Sequence, residues 1–143
     1  VFVTAALFAA VVLTSLPPPA SALARVKNIA ARVGPGAVSE VVTKGPYKVR
    51  VGVAPNRAAF PNTFSVAVTR GGKPVRGAQV ISRFQMLDMD MGQESYKLSE
   101  TRPGRYRRNA MPLIMVGNWG VTFEVTPKAG PPYSFLVVDH ANG

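Results

Sequence analysis

The sequence predicts an all-β protein, an antiparallel β-sandwich preceded by a hydrophobic N-terminal segment. After residue 46, apolar side chains recur at every second position, which is the period of a half-buried strand. Glycine and proline number 13 each among the 143 residues, and this abundance indicates many turns. Hydrophobic residues make up 47% of the chain, so the sequence can build a sizeable core and is not predominantly disordered.

The first 24 residues form an uncharged segment that is almost entirely apolar up to Pro17-Pro18-Pro19. Two interpretations stay open. The segment is the apolar part of a secretory signal with Ala22-Leu23-Ala24 as its cleavage site, or it is the outer half of a last transmembrane helix. A full crossing needs roughly 20 apolar residues, and the basic residues that follow would by the positive-inside rule prefer the cytoplasm. We expect residues 1–24 to be a membrane anchor or signal, with the domain behind them on the extracytoplasmic side.

Residues 25–45 show no firm period. Val26, Ile29, Ala30 and Val33 recur at helical spacing, which is compatible with one short amphipathic helix before the following Gly-Pro-Gly. We therefore predict a linker over 25–45 and a single sandwich domain over 46–143.

Seven segments of the predicted domain show strand-like patterns between turn signals. Their apolar members are, in chain order, Tyr47, Val49, Val51 and Val53; Phe64, Val66 and Val68; Val80, Phe84 and Met86; Tyr96 and Leu98; Tyr106; Trp119, Val121, Phe123 and Val125; and Tyr133, Phe135 and Val137. About seven short strands separated by turns are typical of an immunoglobulin-like sandwich. Trp119, on a central strand, is then the expected anchor of the core.

The formal net charge is +10, and every Lys, Arg, Asp and Glu lies after Ala24. This excess favours acidic partners such as lipid headgroups or polyanions, but a solvated basic surface explains it more simply. The arginines around Tyr106 present the same choice, and we favour a solvated sheet face for them. They are Arg102, Arg105, Arg107 and Arg108. We expect no nucleic-acid partner.

Several kinds of chemistry are excluded by residue type. The chain has no Cys, so disulfides, zinc–thiolate sites and cysteine nucleophiles are ruled out. His140 is the only histidine and lies near the C-terminus, where we expect it on the solvent-exposed surface; this rules out a Ser-His-Asp triad. The carboxylates show no pairing suited to general acid–base catalysis. We therefore expect that the protein is not an enzyme.

The most informative chemical feature is the placement of methionine. All five methionines fall between positions 86 and 115: Met86, Met89 and Met91 on the third predicted strand and its following loop, and Met111 and Met115 just before the Trp119 strand. Thioether sulfur is a soft, neutral ligand that suits Cu(I) and needs no deprotonation. The ends of two strands can meet at one rim of a sandwich, so the sequence predicts a Cu(I) site from these five residues.

Methionine is also a common core filler, and the five positions differ in this respect. Met86 is in phase with Phe84, so a core position is favoured there. Met89 and Met91 are interleaved with aspartates, which could attract cations, and are followed by Gly92. A ligand role is favoured for these two. For Met111 and Met115 both roles stay open.

The sequence from Tyr47 to about Thr126 resembles the YtkA-like domain family. The motifs that carry the resemblance are Tyr47-x-Val49-x-Val51 with Pro55-Asn56; Asn62-x-Phe64-x-Val66; Gly72-Lys73-Pro74-Val75-x-Gly77-Ala78-x-Val80; Met89-Asp90-Met91-Gly92; Pro103-Gly104-x-Tyr106; and Met115-x-Gly117-x-Trp119-x-Val121. One departure is the stretch 58–61, where the family pattern has a Gly-rich turn. The resemblance implies copper handling, and by residue it indicates Met89, Met91 and Met115, with Met86 and Met111 nearby.

The run from Leu13 to Pro19 is similar to the end of the last membrane helix in CopD-type copper transport proteins, some of which carry a YtkA-like domain after it. This second resemblance implies a copper transport, resistance or oxidase-assembly role beside a membrane transporter or oxidase-assembly protein. The alternative is a structural module that packs against membrane partners and binds no metal, with its methionines as adaptable apolar contacts.

Overall fold

The alternation of apolar residues corresponds to β-strands in the computed structural model, which describes residues 28–143. The strands are β1 (Ile29–Val33), β2 (Val38–Lys44), β3 (Tyr47–Ala54), β4 (Asn62–Arg70), β5 (Lys73–Pro74), β6 (Gln79–Met86), β7 (Gln93–Arg102), β8 (Arg105–Ala110), β9 (Gly117–Thr126) and β10 (Tyr133–Ala141). All seven predicted strands are present, as β3, β4 and β6 to β10, and the all-β prediction is confirmed. The predicted anchor over 1–24 lies outside the described residues, and none of the residues described forms a helix able to cross a membrane.

Two strands occupy the stretch that was predicted to be a linker. β1 pairs in parallel with β10, placing Ile29 beside Leu136 and Val33 beside Asp139. The whole length of β2 pairs antiparallel with residues 47–53 of β3. The helical spacing noted in this stretch was misleading, because Ile29, Ala31 and Val33 also stand at period two and are the residues that β1 turns inward. The folded unit therefore begins well before residue 46.

The strands form a barrel-like sandwich with two layers. One layer has the order β1-β10-β9-β6, and the other has the order β2-β3-β4-β8 with the short β5 on β4. β7 joins them, since residues 93–98 pair with β6 and the rest of the strand pairs with β8. Among the strand pairs of the described residues, only β1 with β10 is parallel.

The core lies between the layers and is built from the inward side of each alternating strand. Val49, on β3, is fully buried between the exposed Lys48 and Arg50. Phe64 of one layer meets Phe84 of the other, edge to face, with ring centroids 4.7 Å apart. Trp119 is only 4% exposed, so its predicted place in the core is confirmed.

One end of the sandwich collects the loops that carry four of the five methionines. β6, β8 and β10 end there, while β4, β7 and β9 begin there. The loops are tied together by backbone hydrogen bonds: the Ala59 N–H donates to the Leu113 carbonyl at 2.8 Å, and the Ala58 N–H donates to that of Asn142 at 2.6 Å. Ala59 adopts a left-handed φ of 52° within the stretch where the family pattern has a Gly-rich turn.

Candidate metal centre

Two loops at this end carry four of the five methionines, and we call them together the methionine rim. The first loop (87–92) follows β6 and holds Met89 and Met91, and the second loop (111–116) precedes β9 and holds Met111 and Met115. β6 and β9 are antiparallel neighbours, and the last residue of β6 stands opposite Trp119 near the start of β9. The two loops therefore emerge at the same edge of the same layer.

The first loop is anchored to the start of β9 through Asp88. Its carboxylate accepts hydrogen bonds from the backbone N–H of Asn118 at 2.7 Å and from the side-chain amide of Asn118 at 3.0 Å. These two bonds hold the pKa of Asp88 below its usual range, so the anchor stays ionised in mild acid. A glycine is required beside it, because a Cβ on Gly117, whose φ is +144°, would lie 2.5 Å from Asp88 Oδ2.

The second loop is anchored from both of its sides. Leu113 is fully buried in the core and accepts the bond from Ala59 described above. The indole N–H of Trp119 donates to the Met115 carbonyl at 3.0 Å. A loop that is held in this way keeps Met111, Ile114 and Met115 on the outside.

The two loops border one narrow cleft. It encloses about 30 Å³, and its lining includes Met91 from the first loop, Pro112 and Ile114 from the second, and Trp119 of β9. The structure thus places the two methionine-bearing loops at one edge of the sandwich, where Met91 and residues of the second loop line the same cleft. The convergence depends on the β6–β9 pairing and on the Asp88 anchor.

The exposure of the methionines separates ligand candidates from core residues. Met89, Met91, Met111 and Met115 are 46%, 41%, 49% and 40% exposed, whereas Met86 is 3% exposed. Met86 is packed in the hydrophobic core, the position that its phase with Phe84 favoured, and it is the least exposed of the five predicted ligands.

The rim is also where apolar surface is concentrated. Of the eight large hydrophobic side chains that are exposed among the described residues, six belong to its two loops, with Ile114 and Val116 joining the methionines. Exposed apolar side chains gathered on two adjacent loops make the rim a candidate binding surface, whereas scattered single residues would need no explanation.

His140 lies next to the rim. It is half-buried on β10 opposite Asn118, and its Nδ1 lies 3.1 Å from Asn118 Oδ1. The expectation of a simply exposed histidine was therefore wrong. Across residues 28–143, no three His, Asp or Glu side chains come together as a metal-binding group. The donors that the rim presents are thus mainly thioether sulfurs.

A buried polar pair at the same end was missed by sequence reasoning. Asp139 is 1% exposed, and its Oδ1 accepts a hydrogen bond from Asn56 Nδ2 at 2.8 Å. Burial raises the pKa of Asp139 to about 6. The one available signal was a lone carboxylate directly after Val137 and Val138 on an otherwise apolar strand.

The sequence was compared with known families, curated proteins and solved structures. The sequence model of the family described as YtkA-like matches residues 42–124, a span that includes both loops of the rim and excludes His140. No curated protein matches the chain. One similar solved structure is titled "Crystal structure of Br derivative BhCBM56"; the two chains are 20% identical, with 71% of this chain and 98% of that chain covered and a TM-score of 0.45. A similarity this low implies nothing about function.

Proposed function

The chain belongs to the YtkA-like family, and on this premise we propose that its sandwich is an extracytoplasmic copper-binding module that holds Cu(I) at the methionine rim. The observation that carries the proposal is the exposure of Met89, Met91, Met111 and Met115 on two loops that border one cleft. Four thioethers that fill no core space, gathered where the family places its methionine motif, are best explained as ligands.

The donor set of the rim fits Cu(I). Thioether sulfur is soft and uncharged, so it suits a soft monovalent ion and not Mg²⁺ or Ca²⁺, which take oxygen ligands. It carries no proton at any physiological pH, so metal and proton do not compete for it. Asp88 and Asp90 add negative charge to the first loop of an otherwise basic chain and favour a cation there.

Copper is the cargo of such a module. Each of the four sulfurs stands on a side chain that is close to half exposed, so the ligands of a partner protein can approach the ion and take it over one bond at a time. With residues 1–24 as the membrane tether, the partner would be a membrane transporter or an oxidase-assembly protein. The role would be copper transport, resistance or oxidase assembly.

The test is a Cu(I) titration of the full chain in neutral detergent against a chromophoric chelator. We expect the Met89→Leu/Met91→Leu variant to lose Cu(I) binding, since leucine keeps the volume and removes the sulfur. The matched control is Met86→Leu, the same chemical change in the core, which should bind like the wild type.

Two further results test whether the second loop supplies ligands and whether the protein binds Cu(I) at all. Met111→Leu/Met115→Leu should weaken Cu(I) binding if both loops supply ligands. Failure of the folded wild type to compete for Cu(I) would rule out the proposed function.

A structural module without metal is the second candidate, and one observation favours it. Ile114, Val116 and Phe60 are exposed at the same end, and they are apolar without being ligands. A rim used only for packing would accept leucine for methionine with little change. In that case the Met89→Leu/Met91→Leu variant would retain partner binding in a pull-down assay, and Met91→Asp would abolish it.

A further inference from the structure

A groove runs along the outer face of the second layer, away from the methionine rim. It encloses about 1080 Å³, and the outward residues of β4 form its floor. These residues, Thr63, Ser65, Ala67 and Thr69, alternate with side chains that point into the core. All four are small, so the floor is low; long side chains stand above it on both sides at Ala67, whereas β3 offers only Gly52 and Ala54 beside Ser65 and Thr63.

The walls of the groove are basic. Arg50 on β3 and Arg105 on β8 both stand in register with Ala67, one on each side of β4. Lys48 continues the first wall, and Arg107, in register with Ser65, continues the second. Because neighbouring strands lie about 4.8 Å apart, the two walls are separated by about 10 Å at the backbone.

Three of the four arginines that surround Tyr106 in the sequence belong to this groove. Arg102, Arg105 and Arg107 line it, whereas Arg108 stands in register with the inward-facing Phe64 and lies over the Tyr96 ring at 5.8 Å. Strand alternation therefore sorts one basic run into two environments, which sequence order could not show.

No carboxylate lines the groove. The three glutamates on β2 and β7 stand opposite buried residues and so belong to the other side of the sheet. Glu40 is opposite Val51, Glu94 is opposite Phe84, and Glu100 is opposite Tyr106. The only salt bridge found in residues 28–143 is that of Arg83 with Glu124, so the five groove cations are not neutralised by the protein itself. A concave row of uncompensated positive charge attracts an anionic ligand.

We propose that this groove binds an extended acidic segment of a partner protein. Arginine forms paired hydrogen bonds with carboxylates, and four of the five groove cations are arginines. From Thr63 to Thr69 the floor spans roughly 20 Å, which matches about six residues of an extended chain.

The shape and the lining argue against other anions. The groove is concave, so a flat lipid surface would touch its walls and leave the floor empty. Its only aromatic lining residue, Tyr106, is 1% exposed, so no ring is available for the base stacking that single-stranded nucleic acids use. The proposal does not depend on the copper site.

The experiment is fluorescence anisotropy with a labelled peptide of alternating Asp and Glu, added to the full chain in neutral detergent. Arg50→Gln/Arg105→Gln/Arg107→Gln should bind at least about tenfold more weakly than the wild type, since three ion pairs are lost. The control Arg76→Gln/Lys97→Gln/Lys128→Gln removes the same charge outside the groove and should stay within about twofold. The matching Asn/Gln peptide should not bind.

Three outcomes would overturn the proposal. One is equal weakening in both triple variants, which would mean attraction to net charge alone. The second is binding of anionic phosphatidylglycerol vesicles that needs the groove arginines and resists competition by the acidic peptide, which would make a lipid surface the occupant. The third is the absence of saturable binding by a wild type whose circular dichroism shows a folded β protein.

Discussion

Asp139 illustrates how a single buried carboxyl can set a property of this molecule. Its Oδ2 and the Oδ1 of Asn56 are buried and find no hydrogen-bond partner, although the two side chains already share one bond. While the carboxyl is ionised, both of these oxygens are acceptors and neither can donate to the other. Protonation of Asp139 Oδ2 makes that oxygen a donor. We expect the protonated carboxyl and the amide to form a cyclic pair with two hydrogen bonds, which agrees with the raised pKa.

The sign of the resulting pH dependence follows from that shift. The pKa of Asp139 rises from the ordinary value of 3.8 to about 6, so the folded state holds a proton that the unfolded state has lost across this window. The protonated Asp139 carboxyl therefore adds to the free energy of unfolding, by about 3 kcal/mol at low pH. This stabilisation is lost as pH rises through about 6. Asp88 and Glu124, whose pKa values are lowered by hydrogen bonds to Asn118 and Arg83, act in the opposite sense.

Asp139→Asn should remove this dependence. The asparagine amide can donate to Asn56 Oδ1 at any pH, so the variant should exceed the wild type in stability above about pH 6, by up to about 3 kcal/mol. Urea unfolding at about pH 5 and pH 7.5 measures the difference in free energy of unfolding between the two proteins. The other carboxylates are common to both proteins, so their contributions cancel in this difference. The prediction would be contradicted if the free energy of unfolding changed with pH by the same amount in both proteins.

At the scale of single residues, the sequence allowed prediction of side-chain chemistry but not of every partner. Met89 and Met91 were expected to be poor core residues because aspartates separate them, and both are exposed. The contact between His140 and Asn118 could not be foreseen, since it depends on the register of β9 with β10. Binding of copper by these side chains stays a prediction.

Among the structural elements, the first loop of the rim is tied to β9 by the backbone bond from Leu87 N–H to the Asn118 carbonyl at 2.8 Å and by one side chain, that of Asp88. Asp88 makes both of the side-chain bonds that tie this loop to β9, whereas Asp90 Oδ1 accepts only from the N–H of Gly92, within the loop itself, at 3.2 Å. The two aspartates thus carry the same charge but differ in what they hold in place.

Asp88→Ala should therefore weaken Cu(I) binding about tenfold while the sandwich stays folded, as expected for a residue that positions ligands without being one. Asp90→Ala, which removes the same charge, should have a smaller effect. Competition titrations of both variants, with thermal unfolding as the check on folding, make the comparison. An equal loss in both would mean that charge, and not anchoring, is the cause.

The strands show which elements can be read from sequence. β3, β4 and β9 were predicted because each buries one face and alternates without interruption. β2 escaped because it is exposed along most of its length and its adjacent Val41 and Val42 break the alternation. β1 escaped because its partner, β10, lies about a hundred residues further along the chain, where no local pattern can reveal it.

For the molecule as a whole, the two proposed sites occupy different surfaces of one rigid core. The rim lies at one end, and the groove lies on the outer face of β4 between its flanking strands. β7 is hydrogen-bonded into both layers and so connects them. No hinge separates the two surfaces in the described part of the chain.

We accordingly expect the two sites to act independently. Cu(I) should leave the affinity for the acidic peptide within about twofold, and the groove triple variant should keep the Cu(I) affinity of the wild type. Anisotropy titrations with and without Cu(I) test the first statement, and chelator competition tests the second. A change of more than about fivefold in either would indicate coupling between the sites.

The parallel pairing of β1 with β10 gives the molecule a polarity. Both strands run toward the rim, and Ile29 stands beside Leu136, five residues before the end of β10 at Ala141, about 16 Å short of that edge. The described chain thus enters the sandwich on the side away from the methionines. If residues 1–24 fasten it to a bilayer, we expect the methionine rim to face the aqueous compartment and not the lipid. An incoming ion would then meet the thioethers before it met the membrane.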